Sequence, residues 1–196
     1  MDQARIIAVF DFDNTLIEGD SFLPFLAYAN GWPRTLLALA EAALRLPFYL
    51  GKHDHPRTFF KAILLQRLVA GKSPDFLKPA TLELRAWQKW IEPVKRLLLD
   101  HHAKGHHVVV ASGSLDIYLP ALLEGLPHHA VICTEIGLRD GVYDGAMVNG
   151  NCVRERKAEL VKAYMEEHGP FEDSFGYGNF PYDLPMLELV KQRTII

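Results

Sequence analysis

The chain has 196 residues, of which 49% are hydrophobic and 23% are charged, and its formal net charge is -3. This composition is typical of a globular protein with room for one domain and an insertion. The slight negative charge provides no basic surface for nucleic acid, so we expect no nucleic-acid partner. Two cysteines, Cys133 and Cys152, are too few for a disulfide framework and favour a reducing compartment.

The sequence also argues against membrane insertion. Its start, MDQARIIAVF, lacks the basic and long apolar stretches of a signal peptide. The longest apolar region, 36–50, is interrupted by Glu41, Arg45 and Pro47, which argues against a membrane span but leaves contact with a membrane surface open. We therefore expect a cytoplasmic protein with no transmembrane segment; the oligomeric state is left open.

Short apolar runs alternate with helical patterns along most of the chain. Strands are predicted at 6–10, 107–111, 130–133, 174–177 and 194–196, and helices at 92–104, 114–124, 155–168 and 182–191. The turn-rich stretch 136–148 predicts a β-hairpin or flap. Alternation of this kind predicts an α/β fold, with a Rossmann-like parallel sheet covered by helices on both faces.

Residues 20–91 interrupt this alternation, because they show helical periodicity without a convincing strand. Their apolar faces include a broad one made by Leu36, Leu37, Leu39, Ala40, Ala43 and Leu44. We expect these faces to pack together as a helical core. The predicted organisation is thus a catalytic core at 1–19 and 92–196, with an inserted α-helical cap domain at 20–91.

Two acidic residues, Asp11 and Asp13, directly follow the first strand in IIAVFDFDNT. Strand alternation places both on one side, at the sheet edge where parallel sheets bind ligands. Two carboxylates this close repel each other unless a cation neutralises them, and Mg²⁺ prefers oxygen ligands. The pair therefore predicts a Mg²⁺ site; the alternative is a solvated acidic turn.

Three further segments place polar groups at the same edge. Ser112 and Gly113 follow the second strand, Lys157 begins a helical pattern, and Asn179 and Asp183 lie in GYGNFPYDLPML. A hydroxyl and free N–H groups suit an anion, and a lysine can neutralise a phosphate. Taken singly, each has an ordinary alternative, namely a serine N-cap, a solvated lysine or an aspartate N-cap.

The four segments together resemble those of the haloacid dehalogenase (HAD) superfamily, in the phosphoserine phosphatase-like branch (subfamily IB). Asp11-Phe12-Asp13-Asn14-Thr15 matches the first motif, DxDxT. Ser112 and Lys157 match the second and third motifs, and GYGNFPYDLPML resembles the fourth, GDSxxDxPML. The match spans nearly the whole chain, and residues 20–91 occupy the position of the cap in this branch.

The resemblance implies a Mg²⁺-dependent phosphomonoester hydrolase that acts on a small phosphate ester through an aspartyl-phosphate. Asp11 would be the nucleophile and Asp13 the general acid and base. Ser112, Gly113 and Lys157 would bind the phosphoryl group. The expected metal site comprises Asp11, Asp13, Asn179 and Asp183, with Thr15 steadying the loop.

Asn179 departs from the family pattern, which has a metal-ligating aspartate at this position. An asparagine oxygen can still bind Mg²⁺ but supplies no charge, so we expect weaker Mg²⁺ binding, with Asp183 carrying more of it. A phosphate-binding protein weakened at Asn179 is the non-enzyme alternative. The retained Asp13 argues against it, because binding alone needs no acid and base.

The substrate is the least readable part of the sequence. Asp20 occupies the position at which phosphoserine phosphatases contact the substrate amine, and Arg57 or Arg34 could bind a carboxylate. The apolar cap leaves a phospholipid or prenyl phosphate open, as well as phosphotransfer to an alcohol. The histidine pairs at 101–102, 106–107 and 128–129 lack metal-ligand spacing and are predicted at the surface.

Overall fold

The structure, a computed structural model, describes residues 5–48 and 55–196. Its main sheet contains β1 (Ile6–Phe10), β2 (His107–Leu115), β3 (Ala130–Thr134), β6 (Asp173–Gly178) and β7 (Gln192–Ile195). The order is β3-β2-β1-β6-β7, and every neighbouring pair is parallel. A separate antiparallel hairpin pairs β4 (Ile136–Arg139) with β5 (Val142–Met147). The predicted sheet and hairpin are therefore confirmed.

The helices are α1 (Phe22–Asn30), α2 (Trp32–Arg45), α3 (Pro56–Leu68), α4 (Pro74–Trp87), α5 (Glu92–Ala103), α6 (Leu119–Leu122), α7 (Arg154–His168) and α8 (Leu184–Leu187). One 3-10 turn, Leu46–Phe48, follows α2. Helices α1 to α4 form the insertion between β1 and α5, as the periodicity predicted. The part of the predicted cap at 49–54 lies outside the described residues.

The central strand β1 is apolar along its whole length because both faces of the sheet are covered. Ala8 and Phe10 face a large core shared with α5 and the inserted helices. Ile7 and Val9 face a smaller core that includes Val161 of α7. β1 ends at Phe10 in the middle of the sheet, so Asp11 follows at the centre of the sheet edge, where the candidate site lies.

Two predicted helices are much shorter than expected. The segment predicted as a helix from Ser114 continues as strand β2 to Leu115, which pairs with Thr134 of β3, and α6 begins only at Leu119. Ser114 is therefore a strand residue. The helix predicted at 182–191 is limited to α8, because Val190 packs onto Gly176 of β6 and the chain enters β7 at Gln192.

Only part of the apolar face predicted for α2 packs into a core. The residues that α2 buries are small, namely Thr35, Ala38 and Ala42. Several of its large apolar side chains point outward, with Leu37 72% and Leu44 75% exposed, whereas Leu39 is partly buried against the main core. The expectation of a helical core packing on itself is therefore only partly right for this helix, whereas it holds for the buried leucines of α3 and α4.

The described part of the chain contains no helix with the length and apolar character needed to cross a membrane. The histidine pairs differ from the prediction that all lie at the surface. His101 is buried, and its ring nitrogens contact Tyr177 Oη at 2.8 Å and His106 Nδ1 at 2.7 Å. This placement follows from the position of His101 on the sheet-facing side of α5.

Candidate active site

The loop after β1 turns Asp11 and Phe12 to opposite sides, as the strand alternation predicted. Phe12 is fully buried and meets Trp90 edge to face. Asp11 is held by the sheet, since its backbone N–H donates to Tyr177 of β6. Thr15 Oγ1 donates to Asp11 Oδ2 at 2.8 Å, which gives the loop-steadying role expected of Thr15 a direct contact.

Lys157 lies at the centre of the charged half of the site. Its Nζ donates to Asp11 Oδ1 and to Asp183 Oδ1, each at 2.6 Å, and all three side chains are almost completely buried. Helix α7 and the loop before α8 thus bring two predicted residues onto the predicted nucleophile. Lys157 is a buried, doubly paired cation, not the solvated helix lysine of the alternative reading.

The charges of this half are strongly coupled. Burial raises the pKa of Asp11 to about 7, and the adjacent Lys157 ammonium opposes that rise. Burial lowers the pKa of Lys157, but Asp11 and Asp183 more than offset it, so that its net pKa is raised. The proton therefore stays on the lysine near neutral pH, and the Lys157 ammonium favours the ionised form of the Asp11 carboxyl that it contacts.

Asp13 has a different environment, made of hydroxyl and backbone donors. Its Oδ1 accepts from the Ser21 N–H at 2.8 Å, and its Oδ2 accepts from Ser114 Oγ at 2.6 Å. Burial, followed by the charge of Asp20, raises the pKa of Asp13 to about 6 despite these hydrogen bonds. A carboxyl with a pKa this close to neutrality is suited to giving and taking a proton.

The second segment is the end of β2, where the pairing with β3 is irregular between Ala111 and Leu115. Ser112 is buried, and its Oγ accepts from the Ser114 N–H at 3.0 Å. Gly113 has no room for a side chain, because a Cβ there would lie 2.8 Å from Val153 Cγ1. Glycine is thus required at this position by the close approach of the segment that leads into α7.

Lys61 of α3 reaches the candidate site, and the sequence did not lead us to expect it there. It is buried, and its Nζ donates to Gly113 O, to Asn151 Oδ1 at 2.9 Å and to Thr134 Oγ1 at 3.2 Å. Burial lowers its pKa to about 8. A signal existed, because Lys61 occupies the stripe position of Leu64, Leu65 and Leu68, and a lysine in a buried stripe needs polar partners.

The fourth segment places Asn179 against the first. Its Nδ2 donates to the main-chain oxygen of Asp13 at 3.1 Å and lies 3.4 Å from Asp11 Oδ2. A positively polarised amide here contacts one carboxylate oxygen and one carbonyl oxygen, and both are ligand types that Mg²⁺ uses. The donor set therefore fits the expected cation once the amide turns its oxygen inward.

Asp183 lies beside these oxygens but is otherwise engaged. Its Oδ1 accepts from Lys157 and its Oδ2 accepts from the Asn179 N–H at 2.9 Å. Across residues 5–48 and 55–196, no three side chains of histidine, cysteine, aspartate or glutamate converge as a metal-binding group. A metal here would use the Asp13 main-chain oxygen and the Asn179 amide as well as carboxylates.

The two cysteines are poorly suited to act as nucleophiles. Cys133 and Cys152 are free and buried. Burial raises the pKa of the Cys152 thiol to about 11, so the thiolate is scarce near neutral pH. Of the residues considered for substrate contact, Asp20 caps the start of α1 by accepting from the Phe22 N–H, and Arg57 lies over the Tyr182 ring at 3.8 Å from its centroid.

The arrangement agrees with a family match over most of the chain. Residues 8–188 match the model of the haloacid dehalogenase-like hydrolases. The chain belongs to this family. Its predicted membership and fold are thereby confirmed, and the chain is an enzyme of the phosphatase type found there.

Individual relatives are distant but match nearly the full length of this chain. "Probable phosphatase Rv3661" of Mycobacterium tuberculosis is 26% identical, across 99% of this chain and 69% of the relative. A Bordetella pertussis protein of unknown function has a TM-score of 0.80 and 22% identity, over 98% of this chain and 90% of its own. A substrate-bound phosphoserine phosphatase has a TM-score of 0.66 and 16% identity, over 98% of this chain and 86% of its own.

Proposed function

We propose that the chain is a Mg²⁺-dependent phosphomonoesterase that acts through an aspartyl-phosphate on Asp11. The observation that carries the proposal is the contact of Lys157 Nζ with Asp11 Oδ1, in a buried site that also contains the Asp13 carboxyl. A buried carboxylate with a fixed cation beside it can receive an anionic phosphoryl group more easily than an isolated one. Family membership supports the same reaction class.

In the proposed reaction, an Asp11 carboxylate oxygen forms a bond to phosphorus while the bond from phosphorus to the ester oxygen breaks. Asp13 gives its proton to that oxygen, so the product leaves as an alcohol. Water then attacks the phosphorus of the aspartyl-phosphate, the bond from phosphorus to the Asp11 oxygen breaks, and the water gives a proton to Asp13. Inorganic phosphate leaves, and both aspartates return to their starting states.

The remaining residues bind and orient. Lys157 and Ser112 are proposed to hold phosphoryl oxygens, together with N–H groups around Gly113. Asp11, the main-chain oxygen of Asp13 and Asn179 would hold Mg²⁺, with Asp183 beside them. The cation would supply charge neutralisation between the phosphate and the nucleophile. We retain 1–19 and 92–196 as the core and 20–91 as the cap.

A small phosphorylated metabolite, similar to phosphoserine, is the proposed substrate class. Asp20 supports it because its charge acts on Asp13 and therefore lies near the reacting groups, where it could meet an amine. The likeness to a phosphoserine phosphatase structure agrees with this class but concerns the fold alone.

A phosphate ester with an apolar tail is the second candidate. The outward leucines of α2 favour it, since an exposed apolar helix face commonly meets a lipid or another apolar partner. A cavity of about 470 Å³ beside this face is lined in part by Arg34, Leu37 and Lys72, which combine positive charge with apolar surface. Parallel assays with phosphoserine and a lipid phosphate separate the two candidates.

The first test is hydrolysis of an aryl phosphate with and without Mg²⁺, beside the Asp11→Asn variant. We expect metal-dependent turnover in the parent chain and none above background in the variant, because the amide cannot attack phosphorus. A folded parent chain that releases no phosphate from aryl, amino-acid or lipid phosphates at any Mg²⁺ concentration would contradict the proposal.

A further inference from the structure

Three buried hydroxyl groups that the proposed mechanism does not use form a hydrogen-bonded chain that ends at Asp13. Ser114 Oγ donates to Asp13 Oδ2 at 2.6 Å. Ser21 Oγ lies 2.8 Å from Ser114 Oγ and 3.1 Å from Tyr118 Oη. Ser21 and Tyr118 are fully buried and Ser114 is almost so. A continuous chain of hydroxyls therefore runs from Tyr118 to the carboxyl group of Asp13, out of contact with solvent.

This chain of hydroxyls suits Asp13, a carboxyl group that loses and regains a proton in the proposed reaction. A hydroxyl can donate one hydrogen bond and accept two, and it rotates to suit its partner. Ser114 can donate to Oδ2 both when Asp13 is a carboxylate and when Asp13 carries its proton on Oδ1, because a protonated carboxyl group keeps acceptor capacity. The hydrogen bond from Ser114 is therefore kept in both states, and the proton on Oδ1 is left to face the leaving oxygen.

Ser21 holds the other side of the same carboxyl. Its backbone N–H donates to Asp13 Oδ1 at 2.8 Å, while its hydroxyl reaches Ser114. Ser21 also stands directly before α1, the first helix of the insertion. Both oxygens of Asp13 are thus oriented by two serines, one from the strand β2 and one from the junction with the inserted helices.

We propose that Ser114 is a positioning residue for the acid and base Asp13, and that Ser21 and Tyr118 fix the Ser114 hydroxyl. This inference rests on the proposed phosphatase reaction and adds to it the group that aims the proton at the leaving oxygen. The Ser114 hydroxyl makes no contact with Asp11 or Lys157 among the described hydrogen bonds, so of the two aspartates it acts on Asp13 only.

The Ser114→Ala variant isolates the hydroxyl. The Ser114 N–H that donates to Ser112 Oγ is a backbone group, so this hydrogen bond at the end of β2 is kept in the variant. The variant removes the contacts of the Ser114 hydroxyl with Asp13 and Ser21. Ser174→Ala is the matched control, because Ser174 is also a buried serine whose Oγ is hydrogen-bonded, to the Lys191 N–H, but it lies at the opposite end of β6.

The readout is kcat/KM for a series of phosphate esters with increasingly poor leaving groups: para-nitrophenyl, phenyl and n-butyl phosphate. This ratio reports phosphoryl transfer to Asp11, the step in which Asp13 protonates the leaving oxygen. For Ser114→Ala we expect a loss of about 3-fold or less on para-nitrophenyl phosphate, and of about 10- to 100-fold on n-butyl phosphate, since only the latter depends on a well-aimed acid. Tyr118→Phe, which leaves Ser114 in place, should show the same trend more weakly, and Ser174→Ala none.

An equal loss on all three esters would overturn the inference, because a disturbed phosphate site slows every substrate alike. A parent chain without Mg²⁺-dependent turnover would instead remove the proposed function, and this inference with it. Thermal melting identifies a Ser114→Ala chain that fails to fold. In that case Tyr118→Phe decides, and a loss that does not grow with poorer leaving groups overturns the inference.

Discussion

Lys157 of the core and Lys61 of the inserted helices are both buried lysines that reach the same edge of the sheet, but their partners differ. Lys157 contacts the carboxylates of Asp11 and Asp183, whereas the hydrogen bonds of Lys61 go to neutral oxygens. Their pKa values accordingly move in opposite directions, upward for Lys157 and down to about 8 for Lys61. A buried lysine is a permanent charge only where carboxylates repay its loss of hydration.

The comparison separates two tasks within one site. The core contributes a fixed positive charge to the proposed nucleophile, Asp11. The insertion contributes a cation that holds the Gly113 carbonyl, and so the peptide between Gly113 and Ser114, in place. Asp13 lies between these regions and depends on hydroxyls, so the two aspartates have environments that suit different roles although only one residue separates them.

The Lys157→Met variant should have the largest effect. It leaves Asp11 and Asp183 buried without their cation, and breaking a buried ion pair costs about 3–5 kcal/mol of unfolding free energy. Denaturant unfolding measures this loss, with phosphatase activity expected to disappear as well. Lys162→Met is the control, because Lys162 lies on the same helix with its side chain 64% exposed. Equal stability in the two variants would show that the pairing of Lys157 contributes nothing.

The Lys61→Met variant tests the titratable lysine through pH. The ordinary pKa of lysine is 10.5 and that of buried Lys61 is about 8, so between these values the unfolded chain holds the extra proton. The contribution of Lys61 to the unfolding free energy should therefore rise with pH from about 8 to about 10.5, by up to about 1.4 kcal/mol per pH unit relative to a chain without this lysine. Below pH 8 the cost of burying the charge is present in full.

Denaturant midpoints from pH 7.5 to 10.5, compared between the parent chain and Lys61→Met, provide the measurement (a pH range of about three units covers the linkage). The stability of the parent chain should rise over this range relative to that of Lys61→Met, but not relative to that of the exposed-lysine variant Lys78→Met. Parallel curves for the parent chain and Lys61→Met would mean that Lys61 stays charged throughout. Gly113, Thr134 and Asn151 would then compensate its charge as fully as carboxylates do.

The two lysines also show what sequence reasoning could reach. The strand β1, Asp11, Ser112 and Lys157 were predictable because apolar runs mark buried parallel strands and because ligands bind at their carboxyl ends. The length of β2 was not, since its last residues are polar and small and are held by pairing with Thr134. Contacts between distant segments, such as that of Ser114 with Asp13, leave no local pattern and become visible only in the fold.

The Asn179→Asp variant adds a negative charge to the part of the site that contains Asp11 and Lys157. Without Mg²⁺, the variant loses the amide contacts with Asp11 and the Asp13 main-chain oxygen, and it crowds a further carboxylate beside Asp11. We expect an unfolding free energy lower by about 1–3 kcal/mol in a chelator. With Mg²⁺, the added charge should bind the cation more tightly, by about 10-fold.

Thermal unfolding and calorimetric Mg²⁺ titration measure the two effects separately. Asn149→Asp is a control outside the site, where the Asn149 side chain bonds the backbone of Glu135 and Cys133. If Asn179→Asp binds Mg²⁺ no more tightly than the parent chain, the expectation that Asn179 weakens the metal site is wrong.

The Thr15→Val variant should have the smallest effect, because it removes a neutral group from the side that Lys157 dominates. The substitution keeps the branched shape and deletes the 2.8 Å hydrogen bond from Thr15 Oγ1 to Asp11 Oδ2, worth about 0.5–1.5 kcal/mol. Activity should fall only a few-fold, and equally for para-nitrophenyl and n-butyl phosphate, since Thr15 holds the nucleophile and not the acid. A loss that grew with poorer leaving groups would place Thr15 with Ser114 on the Asp13 side, and the division between the two aspartates would no longer hold.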